Sequence, residues 1–327
     1  MTTATGIGSH PGDDNAAYAE AVRVVLGELP GPEGLPYVPE VPGRGPDATM
    51  TGRAVALATD LAFDLQPAGW RLTDAEGMDQ RRARSRLAQD LDQVEEQTQG
   101  YQGAFKTQVC GPWTLAATVE RPRGDRALAD RGARRDLAQA LAEGVRRHVA
   151  DLRRRLPGVE RWVVQVDEPA LAAVIAGSVP TASGFHRHRA VEPPEASATL
   201  GWVLDAIREA GAEPWVHSCA AGAPLELLRG AGAVGLAVDL DRVDAAGHDQ
   251  LAVALEAGER VVLGVVPTQG EADEASVVQR VERWLDLVGL EPSDGLVVSP
   301  ACGLAGTDAA TARRALEIAR ATSRRLG

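Results

Sequence analysis

Arg161-Trp162-Val163-Val164-Gln165-Val166-Asp167-Glu168-Pro169 is a nearly unbroken apolar run that ends in two carboxylates and a proline. Strands buried on both faces read this way, and such strands belong to parallel sheets covered by helices. Val261-Val262-Leu263 repeats the pattern. Further strand-like runs fall at Thr5–Ser9, Phe105–Cys110, Glu213–Val216, Val234–Val238, Arg260–Val266 and Gly295–Ser299, and another is expected near Phe63–Trp70. Between them, helical periodicity covers Asn15–Leu29, Asp79–Gln99, Arg126–Leu156, Ala196–Ala210, His248–Ala257, Ala275–Val288 and Asp308–Arg325.

Strands alternating with helices predict βαβ units. Seven or eight such units in 327 residues predict a single (β/α)8 barrel spanning 1–327, with a doubly wound sheet as the alternative. The Pro- and Gly-rich stretch Pro30–Pro46 reads as an extended ordered loop near the first unit.

Composition narrows the function. A net charge of −12 argues against general nucleic-acid binding. Basic residues are nearly all arginine, and Lys106 is the one lysine, which reads as a compositional bias. Three cysteines without a disulfide framework suit a reducing cytoplasm. The N-terminus has no signal-peptide pattern. No apolar run approaches the roughly 18 residues of a membrane span.

The polar residues fall at strand ends. Ser9 and His10 follow the first run, and Asp167 and Glu168 follow Val166. His217 and Cys219 follow Val216, Asp239 follows Val238, and Cys302 follows the last run. In a parallel barrel these ends converge on one rim, where active sites form. His217 and Cys219 are two apart on an extended segment, so both face the same way. His, Cys, Cys and a carboxylate are a ligand set for zinc. His217, Cys219 and Cys302 supply three ligands; Asp239 and Asp241 share strand parity, so either supplies the fourth. Cys110 has no partner in this scheme and reads as structural.

At these residues the chain resembles the catalytic barrel of cobalamin-independent methionine synthase, in the superfamily that also holds uroporphyrinogen decarboxylase. The resemblance rests on Gly6-Ile7-Gly8-Ser9-His10-Pro11, Gly111-Pro112-Trp113-Thr114-Leu115, Gln165-Val166-Asp167-Glu168-Pro169-Ala170-Leu171, His217-Ser218-Cys219 and Ser299-Pro300-Ala301-Cys302-Gly303-Leu304, in that order. It implies a (β/α)8 barrel, a catalytic zinc and methyl transfer to a thiol, typically homocysteine. It also implies that His217, Cys219, Cys302 and Asp239 are the zinc ligands, with Asp239 standing where the family has Glu. By the same resemblance Asp167, with Glu40, binds the amino group of the substrate, and the turn at Ser9 holds its carboxylate.

Three features depart from the family pattern. The chain corresponds to the catalytic half alone. Ala116-Ala117-Thr118 stands where a folate-stacking Trp is expected, and Val265-Val266-Pro267-Thr268 where a functional His is expected. All three bear on the methyl donor rather than on the thiol. The donor is therefore methyltetrahydrofolate or, alternatively, a corrinoid, a corrinoid protein or another methyl donor. A non-catalytic zinc-binding barrel subunit is the third reading. If the leaving group is a pterin nitrogen it needs a proton, and His10, His186 and His188 are the candidates for supplying it.

Overall fold

The structure is a computed structural model that describes residues 2–270 and 272–327. Strand β1 (Thr3–Thr5) leads into α1 (Asn15–Glu28), and β2 (Gly34–Leu35) leads into α2 (Met50–Leu57). A hairpin follows, β3 (Ala62–Gln66) and β4 (Gly69–Thr73), and then α3 (Met78–Gln97). The remaining units are β5 (Gly103–Cys110), α4 (Pro112–Thr118), α5 (Arg131–Arg155), β6 (Val159–Asp167), α6 (Leu171–Ile175) and α7 (Pro193–Glu209). They continue through β7 (Glu213–Ser218), α8 (Leu225–Gly230), β8 (Gly235–Asp239), α9 (Ala245–Glu256), β9 (Arg260–Val266), α10 (Glu274–Val288), β10 (Leu296–Pro300) and α11 (Ala309–Leu326).

Eight strands pair in the order β2-β1-β10-β9-β8-β7-β6-β5, every pair parallel. Lys106 N donates to Pro36 O at 2.8 Å and Val38 N donates to Lys106 O at 2.9 Å, which joins the two edges into a barrel. The (β/α)8 expectation holds.

Two expectations are corrected. The run near Phe63–Trp70 is an antiparallel hairpin outside the barrel, pairing Ala62 with Thr73 and Gln66 with Gly69. Its alternation of apolar with Asp64, Gln66 and Arg71 marks a ribbon with one covered face, on which Phe63 and Trp70 are buried. The second barrel strand lies instead inside the Pro- and Gly-rich stretch. Prolines around Gly34–Leu35 hide it, because proline normally marks an edge or a break.

Inward-facing side chains fill the barrel in layers. Leu35, Val163, Trp215, Ala237, Val262 and Val297 form an apolar floor, one from each of six strands, with Ala104 of β5 beside them. Trp215 takes so much of this space that a Cβ at Gly235, opposite it on β8, would lie 2.5 Å from the indole. Outside, helices begin at Asp14, Asp130, Asp244, Asp273 and Asp308, whose carboxylates each accept an N–H of the first turn.

Two buried histidines give the barrel an acid limit. His148 of α5 contacts Thr107 Oγ1 at 3.4 Å, and burial pushes its pKa down from 6.5 to about 4. His10 is likewise pushed down to about 4 by burial. An unfolded His protonates near 6.5 while these stay neutral, so their stabilisation is complete above pH 6.5 and is lost as pH falls toward 4. The loss is about 3 kcal/mol per histidine at the acid end. We expect the urea midpoint to fall across this window, and His148→Leu to flatten that part of the profile relative to wild type.

Candidate active site at the carboxyl ends of the strands

A cavity of about 380 Å³ opens at the C-terminal rim, lined among others by Ser9, Glu40, Gln108, Asp167, His217, Cys219 and Cys302. Its size suits a small ligand. A larger and more open cleft, about 720 Å³, lies on the outer flank among residues of α2, α3 and α5. It touches none of the eight barrel strands, so the smaller cavity is where barrel chemistry is expected.

His217, Cys219 and Cys302 offer three ligand atoms within 4.8 Å of one another. His217 and Cys219 come from the end of β7 on shared parity. Cys302 reaches them because β10 is irregular between Ser299 and Pro300, which turns the chain over the end of β9. Gly264 permits that crossing, since a Cβ there would sit 2.8 Å from Ala301 Cα and 2.5 Å from Val238 O. His217 Nδ1 donates to Ala237 O at 3.1 Å, a bond that fixes the orientation of the ring. An imidazole oriented in this way by a backbone carbonyl is the usual arrangement of a metal-ligating histidine.

The two sulfurs lie 2.8 Å apart. Hydrogen bonding from Cys219, and then from His217, favours the Cys302 thiolate and holds its pKa well below that of an ordinary thiol. The same contact pushes Cys219 up. Two cysteine sulfurs and an imidazole fit zinc in chemistry and in proximity.

Asp239 ends the neighbouring strand β8, but its carboxylate does not join this group. Oδ1 accepts Asp241 N at 3.1 Å and so caps the short turn Leu240–Arg242. Asp241 points outward, its side chain 72% exposed and paired with Arg280. Of the two aspartates, Asp239 is the one beside the cluster.

The other end of the cavity is acidic and heavily braced. Asp167 Oδ1 accepts Gln165 Nε2 at 2.7 Å, and Gln165 Oε1 accepts Lys106 Nζ at 2.8 Å. Burial raises Asp167 to about 7, against the lowering effect of His217. Burial likewise lowers Lys106 to about 7. Glu40 is paired with Arg53 at 3.2 Å, and Arg53 with Asp90 at 3.0 Å. Arg44 completes the buried chain with two 2.7 Å bonds to Asp90. Burial raises the Glu40 pKa, and Arg53 opposes that rise.

Ser9 also reaches the cavity. Its carbonyl accepts Leu304 N at 2.9 Å, and a Cβ on Gly303 would lie 2.1 Å from Ser9 Oγ. The turn after β1 and the Cys302 loop are thus packed directly together.

His10 does not face the cavity. It is 3% exposed, and its Nε2 lies 2.7 Å from Tyr37 Oη. The expected role of His10 in protonating a leaving group is therefore corrected to packing and hydrogen bonding behind the site. His186 is on an exposed turn, and His188 is buried against Asp125 at 3.2 Å. Among the described residues, His217 is the one histidine lining this cavity. Cys110 is buried, with its pKa raised by that burial.

Sequence reading assigned no role to Lys106, Gln108 or Gln165. The signal was available: Gln165 interrupts the apolar run Trp162–Val166 at the parity of Asp167, and Lys106 and Gln108 share the parity of Cys110, which pairs with Asp167.

Fold and site together define a (β/α)8 enzyme with a thiol–imidazole centre beside an acidic pocket. The family described as cobalamin-independent synthase, catalytic domain, matches residues 93–325, more than two thirds of the chain, and the chain belongs to that family. It is thereby a methyltransferase of the methionine synthase type. In fold it is similar to a B12-independent methionine synthase from Shewanella sp. W3-18-1 in complex with selenomethionine, with a TM-score of 0.65 and 14% identity over 99% of this chain and 97% of that one. A putative vitamin-B12-independent methionine synthase from Listeria monocytogenes aligns over 100% of both chains, at a TM-score of 0.55 and 15% identity. No curated protein matches the chain in sequence. Among the described residues, no helix is long and apolar enough to cross a membrane.

Proposed function

We propose that this protein is a zinc-dependent methyltransferase that methylates the thiol of homocysteine, with residues 1–327 acting as one barrel domain in the cytoplasm. The observation that carries the proposal is that His217, Cys219 and Cys302 open into the same cavity as Asp167 and Glu40. One end offers soft ligands for a metal and a thiol, and the other offers carboxylates for an ammonium group. An amino-acid thiol has both functions at its two ends.

His217, Cys219 and Cys302 are the proposed zinc ligands, with Asp239 the fourth. Zinc, when bound, supplies the Lewis acidity that keeps a thiol deprotonated at neutral pH. Asp167 and Glu40 pair with the substrate ammonium. Backbone amides of the Gly8-Ser9 turn take its carboxylate. These contacts hold the sulfur in line with the incoming methyl group, and such positioning contributes about 7–11 kcal/mol to bimolecular transfers.

The family supports a folate-type donor. A second reading, a corrinoid donor, is favoured by one observation: among the described residues, no histidine apart from His217 lines the cavity to protonate a pterin nitrogen. In the Ala116-Ala117-Thr118 segment, which stands where the stacking Trp is expected, the Thr118 hydroxyl contacts Thr51 of the cavity wall at 3.5 Å. A corrinoid leaving group needs no proton. Nothing in the fold or its relatives points to a corrinoid protein as partner.

Metal analysis and a transfer assay test this together. The expected result is one zinc per chain and methionine formed from homocysteine, with methyltetrahydrofolate and methylcobalamin supplied in parallel to select the donor. A protein without bound zinc, or one that methylates no thiol from either donor, would refute the proposal.

A further inference from the structure

The one lysine of the chain lies inside the barrel, 0% exposed, directly beneath the acidic end of the cavity. Its Nζ makes two hydrogen bonds, to Gln165 Oε1 at 2.8 Å and to Ile7 O at 2.9 Å. It also lies 4.9 Å from the centre of the Tyr37 ring. A lysine side chain is almost never fully buried without a specific reason.

The bond to Gln165 has a directional consequence. An ammonium only donates, so it must face the amide oxygen of Gln165. The amide nitrogen is thereby turned the other way, where it donates to Asp167 Oδ1 at 2.7 Å and to Ile7 O at 2.9 Å. Without Lys106 the amide oxygen of Gln165 loses its buried donor, and only the bonds of Nε2 to Asp167 Oδ1 and Ile7 O hold the amide in place. Asp167 Oδ2 has no hydrogen-bond partner among the described residues, while Asp167 lines the cavity. One oxygen is anchored and the other is left for a ligand.

Charge points the same way. Asp167 faces His217 on β7, Glu40 on the loop after β2, and Lys106 on β5. Arg53 already pairs with Glu40. Lys106, which forms no ion pair with another carboxylate, is thus a buried basic group whose charge couples to Asp167.

We propose that Lys106 is a positioning residue for amino-acid recognition: through Gln165 it orients Asp167 to receive the ammonium group of the thiol substrate. The inference rests on the proposed homocysteine site and adds to it a residue that never touches the ligand. Ile7 O keeps a donor, Gln165 Nε2, when Lys106 is replaced, so the carboxylate side of the site is expected to survive.

Calorimetric titration of the zinc-loaded protein with homocysteine and with 4-mercaptobutanoate, which lacks the amino group, tests this. Wild type is expected to prefer homocysteine. Lys106→Met is expected to weaken homocysteine binding by about 10- to 100-fold, the range for a charged hydrogen bond. Binding of 4-mercaptobutanoate should stay within about 3-fold, and zinc content should not change. Gln165→Leu should give the same pattern, and the double variant no further loss, because the two act in one chain. If Lys106→Met does not fold, Lys106→Gln, a shorter neutral side chain at the same place, is taken through the same titrations and decides. Equal losses for both ligands, or unchanged homocysteine binding, would overturn the role of Lys106. Wild type that fails to prefer homocysteine would overturn the substrate reading beneath it.

Discussion

Cys302→Ala is expected to lower methyl transfer at least about 1,000-fold and to release zinc. Two effects combine. A free thiol near pKa 8.5 is only a few per cent thiolate at pH 7, so the loss of metal activation alone costs roughly a factor of 30. Positioning is the larger share, since effective molarities of about 10⁵ M or more depend on holding the sulfur in place. Cys302 also organises the centre, being the thiolate stabilised by Cys219 and His217. Its removal leaves Cys219 without the partner 2.8 Å away. Metal content by atomic absorption and single-turnover rates check the prediction. A Cys302→Ala protein that retains one zinc and more than a tenth of the rate would show that the ligands lie elsewhere.

Glu168→Ala is expected to destabilise the barrel by about 3–5 kcal/mol, the range for breaking a buried charged network. Glu168 is fully buried next to Asp167, yet its carboxylate turns outward from the barrel. Oε1 accepts Trp113 N at 2.9 Å, and Oε2 accepts Thr114 N at 2.8 Å and Thr114 Oγ1 at 2.7 Å. These are first-turn groups of α4, which have no partner inside their own helix. Gly111 makes room, because a Cβ there would lie 2.3 Å from Glu168 Cδ. Alanine would strand three donors in a dry interior, each costing about 1–3 kcal/mol. Burial raises the Glu168 pKa to about 7. The measurement is therefore best made as urea unfolding at pH 8, where the carboxylate is charged. A midpoint shift equivalent to less than 1 kcal/mol would mean that water replaces the lost contacts.

Asp167 and Glu168 show how far the sequence could be read. Both follow the same apolar run, and one residue separates their roles. Strand parity sends Asp167 into the cavity and Glu168 to the helix layer. Their position at a strand end was legible, but the work of Glu168 was not, because its partners lie 54 and 55 residues away. Lys106 is a related case. Its rarity looked like composition, and only the closed barrel shows that its neighbours are Gln165 and Ile7. His10 is the opposite case. It sits within the motif-bearing turn after β1, but the turn directs its ring toward Tyr37 rather than the ligand. β2 was hidden because two residues among prolines carry no periodicity to detect.

The sequence by itself determined the alternation of strands and helices, the parallel barrel and the rim on which the chemistry gathers. These follow from apolar runs and parity, which are local properties. It also named His217, Cys219 and Cys302, since their residue types and strand-end positions are visible without coordinates. Only the tertiary structure decided which carboxylate lies beside them, which histidines face away, and that a buried lysine braces Asp167. Those outcomes depend on side-chain direction and on contacts between residues far apart in the chain, which closure of the barrel sets and no local pattern encodes.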